Sequence, residues 1–483
     1  MSQQPGSHVT TGLKVYNTLT REVEPFETLE PGKVSMYICG VTVYDHAHIG
    51  HGMSSITFDV IRRYLMYLGY DVTYAQNFTD IDDKIINRAN AEGIDPFDLT
   101  ESMIAAWDSE MSAFNILPAT INPRATREMP QIIEMIQGLI DRGHGYEAGG
   151  DVYYKVRSFP QYGKLSHRNV DELLIGARIA AGELKSDPLD FALWKAGKPG
   201  EPTWESPWSD GRPGWHIECS AMCMHHLGRQ LDIHGGGADL IFPHHENEIA
   251  QSEAFTGIEP FARYWMHNGL LQFGSEKMSK SLGNIVRLKD LVDRGRSMAF
   301  RLQVLSSHYR APLTYTDEGL EAASNGLDRL RIAARPIDRS ILVVADEDPN
   351  YHRDTELDRV VERAEETFHS AMLNDFDTPI AVASLFDLGR AVNRARAAET
   401  LITSVLDAHT MLLKLANILG LDLTTPDTSD FIAAEPFIEL LMQVRKDLRA
   451  AKQFAIADQI RDELARLGVT LEDTKQGTTW KSS

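Results

Sequence analysis

From Val34 the chain reads Val-Ser-Met-Tyr-Ile-Cys-Gly, an apolar run closed by Gly40, and from about Gly52 to Leu68 apolar residues return at helical spacing. The pattern predicts strand, loop, helix. Asp71 to Asn77 is rich in strand-forming residues, and Asp80 to Ala91 follows with Ile81, Ile85 and Ile86 at helical intervals. A β-α-β-α opening predicts a parallel sheet. Leu231 to His234 predicts a further strand running into Gly235-Gly236-Gly237, and Pro243 opens a helix through about Phe255. The region from about Pro130 to Pro213 mixes helix with a Pro-, Gly- and Trp-rich stretch, Lys198 to Trp215, that reads as a long irregular connection. It is expected to be an insertion within an α/β domain. Beyond about Leu288 the pattern is almost wholly helical, with long amphipathic segments at Leu357 to Leu373, Pro379 to Thr403 and Ser404 to Leu419, the last stopped by Gly420. Pro426 to Ser429 reads as a linker, and Ile438 to Leu467 as one or two helices. The fold class expected is α/β, a doubly wound parallel sheet with an insertion, followed by a mostly α-helical C-terminal region.

Composition narrows the class. A chain of 483 residues allows about three domains of roughly 150 residues. With 43% hydrophobic and 24% charged residues it is a folded globular chain rather than a fibrous or disordered one. The net charge of −21 argues against coating nucleic acid through global charge. A local basic stripe remains at Arg445, Lys446, Arg449 and Lys452. The three cysteines, Cys39, Cys219 and Cys223, are odd in number and widely spread, so they form no disulfide framework and suit a reducing compartment. Met1 to Gly12 lacks the apolar core of a signal peptide and is expected to be a frayed tail. The most apolar stretch, Leu173 to Ala181, is short and holds Arg178, so no membrane span is expected and the cytoplasm is the expected location.

Three clusters carry chemistry. His46-Ala47-His48-Ile49-Gly50-His51-Gly52 lies between the first strand and its helix, at the edge where doubly wound folds bind ligands. Imidazole N–H groups at a helix start can meet phosphate, although a solvated polar loop would read alike. Lys277-Met278-Ser279-Lys280-Ser281 sets two ammonium groups among small hydroxyl residues, as a loop folding over a polyphosphate would. Taken alone, it also fits a solvated loop. The third cluster is metal-capable: Cys39, Cys219, Cys223, His225, His226, His234, His244, His245, Glu246 and Glu248. On a helix opened by Pro243, His244 and Glu248 stand at i and i+4 and can share a metal, and two thiolates would complete a tetrahedral zinc site. Spacing does not choose between Cys219 and Cys223, which sit on adjacent turns, nor does it place Cys39.

Together the clusters resemble one family. His48-Ile49-Gly50-His51 and Lys277-Met278-Ser279-Lys280-Ser281 look like the two signature motifs of class I aminoacyl-tRNA synthetases, in order and separation. The phrases Tyr37 to Asp45, Asn77 to Lys84, Gly214 to Met222 and Phe242 to Glu248 are similar to those of the cysteinyl-tRNA synthetase family, and the likeness runs from about Leu13 to Trp480. The resemblance implies a Rossmann-like catalytic domain whose halves span 13–130 and 211–258, a connective insertion at 131–210, and a signature-loop and stem-contact region at 259–325. A helical bundle at 326–425 and a small anticodon-binding domain at 426–483 would follow the tail at 1–12. It implies zinc, one ion per chain, on Cys39, Cys219, His244 and Glu248, leaving Cys223 to packing. It places Thr79, Trp215 and His234 in the amino-acid pocket. The bland roles of those three are a loop hydroxyl, a core aromatic and a strand-end histidine.

The activity implied is ATP-dependent activation of L-cysteine, with Mg²⁺ on the phosphates, and transfer of the cysteinyl group to tRNA(Cys) by a monomeric enzyme. His48, His51, Lys277 and Lys280 would be catalytic, with His48, His51, Lys280, Gly237 and Asp239 meeting ATP. Relatives commonly carry arginine where this chain has Met53, which leaves that contact open. Leu373 to Pro379 looks like the family's bundle entry, and Phe454 to Asp462, Leu471 to Thr474 and Gly477 to Trp480 resemble its anticodon-binding end. That end argues against a ligase joining cysteine to the amino sugar of mycothiol, and the intact signatures argue against a non-catalytic zinc-bound RNA adaptor.

Overall fold

The computed structural model describes residues 12–169, 184–273, 276–277, 286–337, 354–397, 402–425, 434–466, 468–474 and 477–482. The expected tail up to residue 11, Leu173 to Ala181, and Lys280 lie outside the described residues. The chain divides at residue 425 into two compact units.

The first unit opens on a hairpin of β1 (Lys14–Asn17) and β2 (Glu22–Pro25), followed by β3 (Lys33–Thr42), α1 (Ile49–Tyr67), β4 (Asp71–Thr79), α2 (Asp83–Glu92), α3 (Pro96–Ala113) and α4 (Met129–Asp141). An antiparallel sheet of β5 (Gly145–Ala148), β6 (Asp151–Tyr154), β7 (Phe191–Ala196) and β8 (Gly211–Pro213) comes next. After α5 (Trp215–Leu227) come β9 (Leu231–Gly237), a broken turn over Ile241–His245, α6 (Glu246–Thr256) and β10 (Ala262–Asn268). The central sheet is parallel throughout, in the order β10-β9-β3-β4.

Both faces of that sheet are covered, as parallel sheets require. Met36 and Ile38 of β3 join one core with Ile49, Ile56, Phe58 and Tyr64 of α1. Tyr37, pointing the other way, joins a second core with Ile132 and Ile136 of α4, Ile217 and Met222 of α5, and Ile249 of α6. On α1 the buried residues Ile49, Met53, Ile56, Val60 and Tyr64 recur at steps of three and four, which is the stripe the sequence shows.

The insertion departs from expectation. Where Lys198 to Trp215 reads as irregular connection, Gly211–Pro213 pairs with Phe191–Ala196, and Trp204 bridges Gly211. A three-residue strand made of Gly, Arg and Pro has no alternation to read, and its partner Trp194 is buried beside Trp208.

C-terminal to the sheet lie short β11 (Leu271–Phe273), β12 (Glu276–Lys277) and β13 (Leu313–Tyr315) with α7 (Leu288–Asp293), α8 (Ser297–Leu305) and α9 (Asp317–Ala334). Helices α10 (Thr355–Leu373), α11 (Thr378–Ala397) and α12 (Ile402–Ile418) form the expected bundle. The guanidinium of Arg301 on α8, fully buried, ties bundle to sheet layer. It donates from Nε to Leu419 O at 2.8 Å and from Nη1 to Phe114 O at 2.9 Å, and pairs with Asp59 of α1. Two helix C-termini thus share one cation, as their unpaired carbonyls favour.

The second unit holds α13 (Ala434–Ala450), α14 (Phe454–Arg466) and a hairpin of β14 (Val469–Thr474) and β15 (Gly477–Ser482). Its expected basic stripe is shorter than the sequence suggests, because Arg445 is buried while Lys446, Arg449 and Lys452 are exposed. Among the described residues no helix is long and apolar enough to cross a membrane.

Candidate active site

At the carboxyl edge of the parallel sheet lies a cavity of about 400 Å³, whose wall includes Cys39, Trp215, His48, His51, Gly237 and Asp239. It opens because β3 breaks register between Ile38 and Val41. Within that bulge Gly40 donates its N–H to Asn77 Oδ1 at 2.8 Å, and any Cβ there would fall 1.6 Å from the Asn77 carbonyl oxygen. Only glycine allows this approach, and it sets Cys39 at the cavity wall.

Cys39, Cys219, His244 and Glu248 converge, their candidate ligand atoms all within 4.8 Å of one another. Cys39 Sγ donates to Glu248 Oε1 at 3.2 Å, and His244 Nε2 stands 3.1 Å from the same oxygen. Phe242, extended at φ −139° and ψ 130°, breaks the chain just ahead of Pro243, so that His244 and Glu248 project from one helical face. Cys219 comes from α5 and faces the cluster, while Cys223 is packed in the apolar core.

The cluster's electrostatics favour anions at its sulfur and carboxylate. Hydrogen bonding between the two thiols draws Cys219 down to about 6, while burial first and that thiol–thiol contact second push Cys39 well up. Burial alone would raise the Glu248 carboxyl, but His234 and His244 hold it well below the usual carboxylate range. Burial alone would lower His244, which Glu248 and Cys219 raise to about 10. A metal ion fits here on the structure's own terms. His244 Nε2 is buried and directed at the cluster, and two sulfurs, an imidazole and a carboxylate are the donors that tetrahedral zinc takes.

A surrounding layer orients these donors. His216 Nδ1 and His244 Nδ1 are 2.9 Å apart, which turns Nε2 of His244 toward the cluster. Burial, with His244 nearby, keeps His216 far below its usual range, so it is the neutral acceptor of that pair. The Trp215 ring stacks on His244 at 4.2 Å. Sequence reasoning passed over His216, whose one signal is its place three residues before Cys219 on the same helix face.

Two residues expected in the amino-acid pocket are held by buried carboxylates. His234, fully buried, sets Nε2 against Glu248 Oε2 at 2.9 Å and stacks on Trp265. Thr79 donates its hydroxyl to Glu218 at 2.8 Å and is also buried. Trp215, the third residue expected in that pocket, lines the cavity described above.

Across the cavity, His48 and His51 open α1 by capping each other. His48 Nδ1 accepts from the N–H groups of Gly50 at 3.2 Å and His51 at 3.4 Å, His51 Nδ1 accepts from the N–H of His48 at 3.3 Å, and the rings stack 3.7 Å apart. Because each Nδ1 is an acceptor, a neutral ring carries its proton on Nε2. Gly237 and Asp239 share the wall, and a Cβ at Gly237 would lie 2.5 Å from the Asp239 carboxylate. Met53 lines the same cavity, as does Lys84, a cation that sequence reasoning had not placed in a site. Lys277 ends β12, paired in backbone register with Gln272. The segment after the second signature returns beside the first, where His48 bridges Arg287.

Comparisons with known proteins add to this geometry. Residues 25–325 match the family model of the class I (C) tRNA synthetase catalytic domain, residues 367–424 that of the DALR domain, and residues 436–480 that of the cysteinyl-tRNA ligase anticodon binding domain. The chain is 54% identical over 469 residues to a cysteine–tRNA ligase of Dehalococcoides mccartyi, covering 97% of this chain and 99% of that one. It is 49% identical over 481 residues to a cysteine–tRNA ligase of Geobacter sulfurreducens, covering 97% and 99%. Among solved structures it resembles Mycobacterium tuberculosis methionyl-tRNA synthetase in complex with methionyl-adenylate, with a TM-score of 0.57 at 16% identity over 85% of this chain and 94% of that one. That likeness speaks to the fold alone.

Proposed function

The chain belongs to the cysteine–tRNA ligase family of class I aminoacyl-tRNA synthetases, and we propose that the cavity beside Cys39 is where it activates L-cysteine with ATP and passes it to tRNA(Cys). The observation that carries the reading is the convergence of Cys219, His244 and Glu248 on Cys39, which lines a cavity that the His48–His51 pair also lines. Zinc, one ion per chain on those four residues, would supply a thiophilic Lewis acid that favours the substrate's sulfur over the hydroxyl of serine. An apolar pocket separates such near-isosteres by only about 10². His216 and His234 are positioning residues that aim His244 and Glu248, and Trp215 shields the cluster from above.

In the first step the cysteine carboxylate oxygen attacks the α-phosphorus of ATP and the bond to the β-phosphate oxygen breaks, giving cysteinyl adenylate and pyrophosphate. His48 and His51 would donate from Nε2–H to the phosphate oxygens, a direction their reciprocal capping imposes. Lys277 and Lys280 would neutralise the departing pyrophosphate, with Mg²⁺ on the phosphates, and Gly237 and Asp239 would receive the ribose. In the second step a hydroxyl of the terminal adenosine attacks the carbonyl carbon and AMP leaves. The enzyme is proposed to act as a monomer, in the cytoplasm.

The domain boundaries expected from the sequence are proposed with the function, with 426–483 binding the anticodon through exposed Lys446, Arg449 and Lys452. The experiment is attachment of radiolabelled cysteine to bulk tRNA and to the mycothiol amino sugar, with zinc measured on the same preparation. Charging of tRNA alone with about one zinc per chain is expected. Labelling of the sugar, or bound zinc without labelling of either, would overturn the reading.

A further inference from the structure

Helix α5 carries Cys219 near one end and two histidines at the other. Beyond Cys223 its residues are no longer fully buried, and its last turn presents His225 and His226 to Glu128, the residue that precedes α4. His226 Nε2 lies 2.9 Å from Glu128 Oε1, and His225 Nδ1 lies 3.3 Å from Oε2. The two imidazoles use different ring nitrogens, and this lets consecutive residues converge, with ring centroids 4.6 Å apart and planes tilted by 41°. One donor atom from each of the three residues falls within a 4.8 Å group.

From these contacts we propose that Glu128, His225 and His226 form a cation site, distinct from the cluster at Cys219, for a borderline divalent metal such as zinc. Ligand bonds of about 2.0–2.1 Å in a tetrahedron set neighbouring donors about 3.3 Å apart, a spacing that the 4.8 Å group of one donor atom per residue can close to. Two imidazoles and one carboxylate suit zinc, nickel or copper and not calcium or magnesium, which take oxygen. The local field favours a cation as well, since the histidines sit at the carbonyl end of α5 beside a carboxylate. The Glu128 side chain is only 12% exposed and so held in place, while that of His225 is 40% exposed, which leaves the fourth position to water. A metal bound here staples α4 to the helix that bears Cys219.

The test is equilibrium dialysis of the full chain against buffered zinc at neutral pH, comparing the natural protein with Glu128→Gln, His226→Ala and the surface variant His225→Gln. The natural protein is expected to hold one more zinc per chain than any variant, with at least a tenfold loss of that zinc's affinity in each. Zinc should raise the melting temperature of the natural protein by more than that of any variant. Equal zinc content in all four proteins would overturn the proposal and leave Glu128 as a hydrogen-bonded clamp. The readout is a difference between proteins, so it stands whatever the cluster at Cys219 binds. Cysteine-dependent pyrophosphate exchange, the readout of the activation chemistry, should be the same in His225→Gln as in the natural chain.

Discussion

The two walls of the cavity use histidine in opposite ways. In the Cys39–Cys219–His244–Glu248 wall, imidazoles act through charge and lone pairs: His244 is drawn up to about 10 by Glu248 and Cys219 against the effect of burial, and its Nε2 faces the other donors. In the His48–His51 wall, imidazoles act as hydrogen-bonding shapes, each Nδ1 closing a backbone N–H at the start of α1. The first is built from three separate segments joined by side chains, the second from four consecutive residues joined by their own backbone. Burial and long-range packing make a selector for a soft atom, and a helix start makes a donor for phosphate.

This contrast can be broken most severely at Cys219. Cys219→Ala should abolish metal retention at the Cys39–Cys219–His244–Glu248 cluster and cut cysteine-dependent pyrophosphate exchange by more than about 100-fold, above what loss of an outer partner costs, as metal analysis and exchange assays would show. Next comes His48, where the cap and the chemistry can be separated. Asparagine caps helices well, so His48→Asn should keep the melting temperature and lose about 10²-fold in adenylate formation. His48→Ala should lose both, with about 1 kcal/mol of stability gone. If the asparagine variant stays fully active, the ring is a cap and nothing more. A smaller effect is expected at His234: His234→Gln should weaken zinc about 10- to 100-fold, measured by competition with a chelator, while the His48 wall keeps its ATP affinity.

The least effect concerns pH. Burial, with His234 nearby, lowers His267 to about 3, and it is neutral between His245 and Thr18. The unfolded chain takes up a proton at about 6.5 that the native state refuses. Stability should therefore fall as pH drops from 6.5 toward 3, and His267→Gln should flatten the unfolding free energy over that window by one proton's slope, as denaturant titrations would report.

Much of this was legible in the sequence, for identifiable reasons. The α1 stripe and the β3 run are long and periodic, so the αβ opening read correctly. The pairing of His244 with Glu248 is local, an i and i+4 relation on one helix. Choosing Cys219 over Cys223 needed either family resemblance or coordinates, because both lie on α5 and the direction of the cavity is a tertiary fact. The contacts of His234 and Thr79 with Glu248 and Glu218 were hidden for the same reason, their partners being distant in sequence. The insertion's sheet was missed because strands as short as Gly211–Pro213 carry no period.

Gly420, which reads in the sequence as a simple helix stop, has a second task. Its backbone is left-handed at φ 64°, and a Cβ on it would lie 2.1 Å from Arg301 Nη2. The guanidinium that joins sheet layer to bundle therefore rests against a bare α-carbon. Evolutionary exchange of the bundle between synthetases is constrained at this seat: a replacement bundle must bring both an acceptor carbonyl and a glycine, or strand a buried cation beside Asp59.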